Sequence, residues 1–338
     1  MSDPIRIGVI GIDHRHIYTM LSNLLNEGAE LAGWHTNGTP GTLEGFIKRF
    51  PDAPRVDDPA TLLNDDRIDL ILTAAIPCDR PAIAIAAMRA GKDVMTDKPG
   101  CLTLDQLSDL RRTVLDTGRI WSVDFSERFE VPAVTKAAEL VAEGAIGTVI
   151  QTLGLGPHRL NRDTRPDWFW DPARNGGILT DIGSHQIDQF LYLTGSTEAY
   201  ITLATTQNIA APQNPDFRDF GQIALQSGAA TGYIRLDWFT PDALPTWGDG
   251  RLFILGTEGT IELRKYVDVG GAEGGDHLLL TNGSRCERID ASGAGLPYFR
   301  RILNDIRDRT ETAMPQAHAF AVMDLAIRAQ MMADGEPC

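Results

Sequence analysis

Residues 5–25, IRIGVIGIDHRHIYTMLSNLL, decide the fold of this chain. Residues 5–10 are an apolar run of strand length that ends at Gly11. From Ile17 onward the apolar residues recur every three or four positions, which is typical of an amphipathic helix. Gly28 stands where the C-cap of that helix is expected. A strand that leads directly into a helix is the first unit of a parallel α/β sheet.

The alternation of strand and helix continues to about residue 125. It predicts βαβ units and a doubly wound parallel sheet, in which ligands bind beyond the carboxyl ends of the strands. Thr103 and Gln106 have the spacing of a capping box before one of the helices. The predicted strands are residues 5–10, 30–34, 69–75, 93–96 and 120–125, the helices 17–25, 43–50, 82–90 and 104–114, and the loops expected to carry function 11–16, 34–38, 76–81 and 97–101.

A different pattern begins near residue 126. Short strand-like runs dominate, and several are joined by brief Gly-containing links that suit hairpins. This predicts a C-terminal α+β domain with one large, mostly antiparallel open sheet, so the domains are 1–125 and 126–338. The predicted strands are 149–154, 199–206, 222–226, 231–238, 251–255, 260–263 and 277–280, and the helices are 132–143, 178–194, 298–309 and 318–333.

The composition limits the classes of partner. The chain has 338 residues, with 46 acidic against 31 basic side chains and a net charge of −15, which disfavours binding to nucleic acids or to anionic membranes. No apolar run approaches the ~20 residues of a membrane span, and we see no signal peptide, so we expect a cytoplasmic protein. The four cysteines, Cys78, Cys101, Cys286 and Cys338, are too scattered for a disulfide framework.

The first loop departs from the dinucleotide fingerprint G-x-G-x-x-G. Only Gly11 is kept, because Asp13 and His16 occupy the second and third glycine positions. A carboxylate at Asp13 would repel a pyrophosphate unless it points away. His14 and His16 have three interpretations: they cap the first helix or meet solvent, they contact cofactor or substrate, or they form a metal cluster with Asp13.

The end of the second predicted strand carries no clear cofactor signal. Trp34, His35, Thr36 and Asn37 include no acid to bind the ribose 2′-hydroxyl of NAD and no Arg to bind the 2′-phosphate of NADP. The absence of a nearby Arg favours NAD.

One helix in the C-terminal half combines apolar and ionisable residues. Asp181, His185 and Asp188 have the spacing i, i+4 and i+7, which places them on one face. They form either a satisfied structural network or a general base, His185, that Asp181 orients. The preceding loop, 156–170, either lines a sugar pocket with its Trp and Arg side chains or lies at the surface or an oligomer contact.

Four stretches in order along the chain resemble the Gfo/Idh/MocA family of oxidoreductases. They are residues 5–11, AMRAGKDVMTDKPG at 87–100, ERFEVPAVTKAAELVAEGAIG at 127–147 and GGILTDIGSHQID at 176–188. Besides the altered first loop, Asp97 replaces the family's Glu, Cys78 replaces an Asn, and Pro81 stands near a position where the family often has His.

The resemblance implies a Rossmann domain and hydride transfer between NAD or NADP and a hydroxyl or keto carbon of a sugar, cyclitol or related polyol. Lys98 would hydrogen-bond the substrate hydroxyl, unless it is only a surface lysine after a strand. His185 would take or return the hydroxyl proton, and Asp181 would orient this pair or bind a neighbouring hydroxyl. Pro99 fixes the turn, and a cis bond there is compatible with it.

The candidate site residues follow from the strand ends and from this resemblance. The alternatives to a dehydrogenase are an NAD-dependent glycosidase or lyase without net redox change, a non-catalytic sugar or nucleotide sensor, and metal-dependent chemistry. By analogy with the fold, we expect a homodimer or homotetramer through the C-terminal sheet. The predicted cofactor residues are Gly8, Gly11, Ile12, Asp13, His14, Thr36, Ala75, Pro77, Asp97 and Lys98, the predicted substrate contacts are His16, His158 and Trp168, and no metal ligands are assigned.

Overall fold

The structure is a computed structural model that describes residues 3–336. It divides into two compact units, each built from separate stretches of the chain. The first contains the residues up to Asp124 together with Ala173–Asn175 and Pro297–Phe320, and the second contains the remainder. The predicted domains, 1–125 and 126–338, are contiguous stretches and stay a prediction.

The first unit contains the predicted parallel sheet, in the order β2-β1-β3-β4-β5. The order reverses between β1 and β3, which is the switch point where open α/β sheets bind ligands. Strands β3, β4 and β5 are buried along their whole length, which explains their continuous apolar sequences. The bounds are β1 (Arg6–Ile10), α1 (Ile17–Asn26), β2 (Glu30–His35), α2 (Leu43–Arg49), α3 (Ala60–Leu63), β3 (Leu70–Thr73), α4 (Arg80–Arg89), β4 (Asp93–Asp97), α5 (Leu104–Thr117) and β5 (Trp121–Asp124).

Helix α5 begins where its sequence predicts, but it continues beyond the predicted residue 114 to Thr117. The Thr103 side chain accepts from the Gln106 backbone N–H at 3.2 Å, and the Gln106 side chain accepts from the Thr103 N–H, so the capping box is formed. Gly118 ends the helix in the left-handed conformation, with φ +64°.

The second unit contains an eight-stranded sheet in the order β13-β12-β11-β10-β6-β9-β8-β7. Every pairing is antiparallel except β6 with β9, so the predicted mostly antiparallel sheet is confirmed. Most of α8, all of α11 and the start of α12 belong to the first unit. The elements that follow β5 along the chain are α6 (Ser126–Phe129), α7 (Pro132–Ala142), β6 (Val149–Pro157), α8 (Pro172–Asn175), α9 (Gly177–Asp181), α10 (Gly183–Thr194), β7 (Tyr200–Gln207), β8 (Phe220–Ser227), β9 (Ala230–Asp237), β10 (Arg251–Gly256), β11 (Gly259–Arg264), β12 (His277–Asn282), β13 (Cys286–Asp290), α11 (Pro297–Asp308) and α12 (Gln316–Asp334).

Two elements in this region differ from the prediction, one because it was missed and one because it was predicted wrongly. Strand β13 was not predicted, because CERID is an edge strand with four exposed residues and no apolar alternation. The single helix predicted over 178–194 is two helices that break at Ile182. Apolar residues continue through the break, so their periodicity does not reveal it. A Cβ on Gly183 would lie 3.1 Å from Ile223 Cδ1, so this glycine allows the start of α10 to approach the sheet closely.

No helix among residues 3–336 has the length and apolar character that a bilayer crossing requires. Among the described residues, Cys78, Cys101 and Cys286 form no disulfide bond, and Cys338 lies outside these residues.

Candidate active site

The loop after β1 depends on the one retained glycine. Gly11 has φ +83°, and a Cβ there would lie 2.4 Å from the Cβ of Ala75. The Gly11 N–H donates to the His35 carbonyl at 2.9 Å, and its own carbonyl accepts from Ala74 at 3.0 Å. Only glycine fits this conformation and this close approach to the loop after β3.

Three further predicted cofactor residues in this region are buried. Gly8 lies within β1, where a Cβ would stand 2.9 Å from Ile71 Cδ1, so its small size serves packing against β3. Ile12 is fully buried, and its carbonyl accepts from the Thr42 hydroxyl. Pro77 is buried in the loop after β3.

The Asp13 carboxylate is held by the loop after β3. It accepts a backbone hydrogen bond from Ile76 and lies near the Arg80 guanidinium, while burial raises the pKa of Asp13. These contacts account for a carboxylate in the second glycine position.

Three side-chain nitrogens lie close to the Asp97 carboxylate at the end of β4. Its Oδ2 lies 2.9 Å from Arg80 Nη2 and 2.8 Å from His14 Nδ1, and its Oδ1 lies 2.8 Å from His16 Nδ1. Arg80 also donates to the carbonyls of Ala75, at 2.8 Å, and Pro99, at 3.0 Å. We call Asp97, Arg80, His14 and His16 the Asp97 cluster.

Electrostatics in the Asp97 cluster favour an ionised acid and a neutral His14. Burial opposes ionisation of Asp97, but Arg80 and the two histidines outweigh it and hold its pKa well below the usual range. Burial and the neighbouring His16 lower the pKa of His14 to about 4.

The Asp97 cluster changes the interpretation of the two histidines. His16 is the N-cap of α1, but its side chain makes no capping bond, and both side chains are about a quarter exposed, at 24% and 27%. Among the described residues, the group with metal-ligand spacing is His14, His16 and Asp97, whose donor atoms lie within 4.8 Å, and it does not include Asp13. The Arg80 charge on the same carboxylate disfavours a cation there.

Lys98 directly follows the Asp97 cluster. Its side chain is only 4% exposed, so the alternative of a surface lysine is wrong. Its carbonyl accepts from Arg80 Nη1 at 2.5 Å, and the Lys98–Pro99 peptide bond is cis. Lys98, the Asp97 cluster and the loop after β1 therefore lie together at the carboxyl edge of the parallel sheet.

An arginine that is distant in sequence lies beside the end of β2. Thr36 is 3% exposed, and its carbonyl accepts from Arg55 Nη2 at 3.2 Å. The sequence alone favours NAD, because no Arg stands near this strand end. That premise is wrong, because Arg55 reaches this position from 19 residues away.

The second unit brings a second buried carboxylate to α10. Glu127 Oε2 lies 2.5 Å from Lys265 Nζ and accepts from Gln186 Nε2 at 2.9 Å. Burial opposes ionisation, but Lys265, His185 and then His158 outweigh it and lower the pKa of Glu127 to about 2. We call Glu127, Lys265 and Gln186 the Glu127 cluster. His185 and His158 lie close enough to interact electrostatically with the Glu127 carboxylate.

The residues of the predicted polar face around His185 lie on two helices, α9 and α10. Asp188 makes a bidentate pair with Arg128, with N–O distances of 2.7 and 2.6 Å, and Arg128 packs over the Tyr192 ring. Asp188 therefore belongs to a structural ion pair, which is one of the two interpretations given for this helix face. Asp181 is half-buried at the end of α9, before the break, and His185 is 2% exposed on α10.

His158 and Trp168, the two substrate contacts predicted from the loop 156–170, have different surroundings. The His158 ring lies 4.4 Å from that of Trp247, and its Nδ1 lies 3.1 Å from the Gly156 carbonyl. Trp168 lies on a short 3₁₀ turn beside buried Phe169, with ring centroids 6.4 Å apart.

Sequence reasoning missed Glu127 and Lys265. Glu127 begins the ERF motif, so its position was visible, whereas nothing local distinguishes Lys265, which directly follows β11. The partner of a buried acid is set by long-range packing.

Comparison with known protein families covers both units. A model described as the GFO/IDH/MocA C-terminal domain matches residues 134–262. A model described as an oxidoreductase family with an NAD-binding Rossmann fold matches residues 5–125. Both belong to the family that the four motifs indicated.

Similar individual proteins agree with this. A crystal structure of a protein from Erwinia carotovora atroseptica, described as an oxidoreductase, is 47% identical, with a TM-score of 0.94 over 97% of this chain and 98% of that one. Two Bacillus subtilis relatives are scyllo-inositol 2-dehydrogenases. The NADP⁺ enzyme is 26% identical over 92% of this chain and 81% of its own, and the NAD⁺ enzyme is 29% identical over 77% and 74%.

Proposed function

The chain belongs to the Gfo/Idh/MocA oxidoreductase family, and on that premise we propose that it oxidises a hydroxyl, or reduces the corresponding ketone, of a sugar, cyclitol or related polyol. The observation that carries this proposal is the burial of Lys98 beside an ionised Asp97 at the carboxyl edge of the parallel sheet. A buried ammonium is costly, so its placement at the ligand edge supports a role in binding or proton transfer.

The loop after β1 fits a dinucleotide despite its two missing glycines. The backbone at Gly11 leaves no room for a Cβ, and the Asp13 carboxylate is held by Ile76 and Arg80. Gly11, Ile12, Asp13, His14, Thr36, Ala75, Pro77, Asp97 and Lys98 would hold the cofactor. When bound, its nicotinamide ring supplies the hydride acceptor or donor.

The protein side chains would bind the substrate and move its proton. Lys98 donates to the reacting hydroxyl oxygen, and His185 takes the proton when the alcohol is oxidised and returns it in the reverse direction. The charge of Glu127 stabilises the imidazolium that His185 becomes. Asp181 orients this pair or binds a neighbouring hydroxyl, and His16, His158 and Trp168 contact the rest of the substrate.

A sugar and polyol screen with NAD⁺ and NADP⁺, followed by the absorbance of the reduced cofactor, tests the proposal. With an active substrate, Lys98→Ala and His185→Ala should each lower kcat by about 10²–10⁴-fold, because each removes a proton-transfer or hydrogen-bonding group. Lys136→Ala is the control, since Lys136 forms only a surface pair with Glu139.

Near-normal turnover in both variants would overturn the assignment of these residues. Product formation without net reduced cofactor, with NAD bound, would overturn the dehydrogenase and indicate transient redox chemistry on the same fold.

We also propose that the eight-stranded sheet pairs copies of the chain as a homodimer or homotetramer. Its strands expose several large apolar side chains, namely Tyr200, Leu203, Leu255 and Leu279. Light scattering of the wild type and of Leu203→Glu tests this. A monomer in the wild type, or an unchanged mass in the variant, would contradict it.

A further inference from the structure

A short segment extends the parallel sheet beyond β2. The Trp34 N–H donates to the Pro54 carbonyl at 3.0 Å, and the Val56 N–H donates to the Trp34 carbonyl at 2.9 Å. The Trp34 indole also donates to the Ala53 carbonyl at 3.1 Å. These bonds form a parallel bridge between Trp34 and Arg55, so the backbone of Arg55 is fixed beside the end of β2.

The Arg55 side chain is exposed but oriented. Its Nη2 donates to the Thr36 carbonyl at 3.2 Å, and its Cζ lies 5.2 Å from the centroid of the Trp34 ring. Among residues 3–336, no carboxylate forms an ion pair with Arg55. The guanidinium therefore keeps N–H donors and its full charge for an anion.

The end of β2 lacks the acid that an NAD site needs. In Rossmann folds this strand end meets the adenosine ribose, where an acid binds the 2′-hydroxyl of NAD and an arginine binds the 2′-phosphate of NADP. Residues 35–38 are His, Thr, Asn and Gly. Asp58, an acid further along the chain, is engaged at the start of α3, where it accepts from the Ala60 N–H at 2.8 Å.

We propose that Arg55 forms a binding site for the ribose 2′-phosphate, so that the protein prefers NADP(H) to NAD(H). This inference rests on the proposed function, since it assigns the cofactor of the same site. A guanidinium presents paired N–H donors that match phosphate oxygens, and its stacking on Trp34 lowers the entropy lost when it binds. The Asn37 amide stands at the same strand end and adds a neutral donor.

Fluorescence titrations with NADPH and NADH test the preference. Wild-type protein should bind NADPH at least tenfold more tightly than NADH, and more salt should weaken NADPH binding more than NADH binding. Arg55→Ala should weaken NADPH binding by about ten- to a hundredfold, as expected for lost hydrogen bonds to a charged group, and leave NADH binding within about twofold.

Arg49→Ala is the matched control, because Arg49 is another arginine that packs over an aromatic ring, 4.8 Å from the centroid of Tyr18. It should change neither affinity. Arg55→Lys keeps the charge without the paired donors and should lie between wild type and Arg55→Ala. Should Arg55→Ala fail to fold, Arg55→Gln provides the same comparison.

The two proposals fail in different ways. Equal or tighter binding of NADH by the wild type, or an equal loss for both cofactors in Arg55→Ala, would overturn the 2′-phosphate site alone. No binding of either dinucleotide by the wild type would overturn both proposals.

Discussion

The two buried carboxylates, Asp97 and Glu127, solve the same electrostatic problem differently. Asp97 uses both oxygens: Oδ2 lies beside Arg80 and His14, and Oδ1 lies beside His16. Glu127 uses only Oε2, which takes both Lys265 and Gln186, while its buried Oε1 has no hydrogen-bond partner among the described residues. Asp97 orients the side chains around it. Glu127, in contrast, keeps Oε1 as a hydrogen-bond acceptor and depends on the single cation Lys265.

Removing that cation should give the largest effect on stability. Lys265→Met leaves Glu127 as an unpaired buried charge, which should lower the free energy of unfolding by about 3–5 kcal/mol in chemical denaturation. The double variant Glu127→Gln/Lys265→Met should recover most of this loss. Lys136→Met, at a surface ion pair, should change little. A mild effect of Lys265→Met would show that the Glu127 cluster tolerates an unpaired acid.

The Asp97 cluster should limit stability in mildly acidic solution. His14 has a folded pKa of about 4 against an ordinary value of 6.5, so the unfolded chain binds more protons between these values. Stability should therefore fall as the pH drops from 6.5 to about 4. His14→Gln should flatten this part of a plot of Tm against pH, and an unchanged slope would contradict a lowered pKa of His14.

The Glu127 cluster should act in a more acidic window. Folding lowers the pKa of Glu127 from 4.5 to about 2, so its contribution to stability is complete above 4.5 and is lost as the pH falls towards 2. Glu127→Gln should flatten only this lower range in the same measurement. A change confined to the range above 4.5 would indicate that another group is responsible.

The smallest effect is expected at Asp13, beside the Asp97 cluster. Asp13→Asn keeps an acceptor for the Ile76 N–H but removes the charge. Because the carboxylate faces the loop after β3, dinucleotide affinity should change by less than about twofold in a fluorescence titration. Markedly tighter binding would show that the charge of Asp13 repels the pyrophosphate.

The predictions from sequence succeeded where the signal is local. The capping box at Thr103, the strand that ends before Gly11 and the buried parallel strands each follow from a few adjacent residues. Lys98 could be singled out because its motif is contiguous. The break at Ile182 was missed, since the apolar periodicity passes through it.

The sequence by itself determined the class of fold, the order of strands and helices, and which strand ends would carry polar residues, because hydrophobic periodicity and turn chemistry act over a few positions. Only the tertiary structure decided which charged and polar groups meet. Asp97 pairs with Arg80 across 17 residues, Thr36 with Arg55 across 19, and Glu127 with Lys265 across 138. Burial makes a partner necessary for Asp97 and Glu127, but the packing of distant elements determines which residue that partner is.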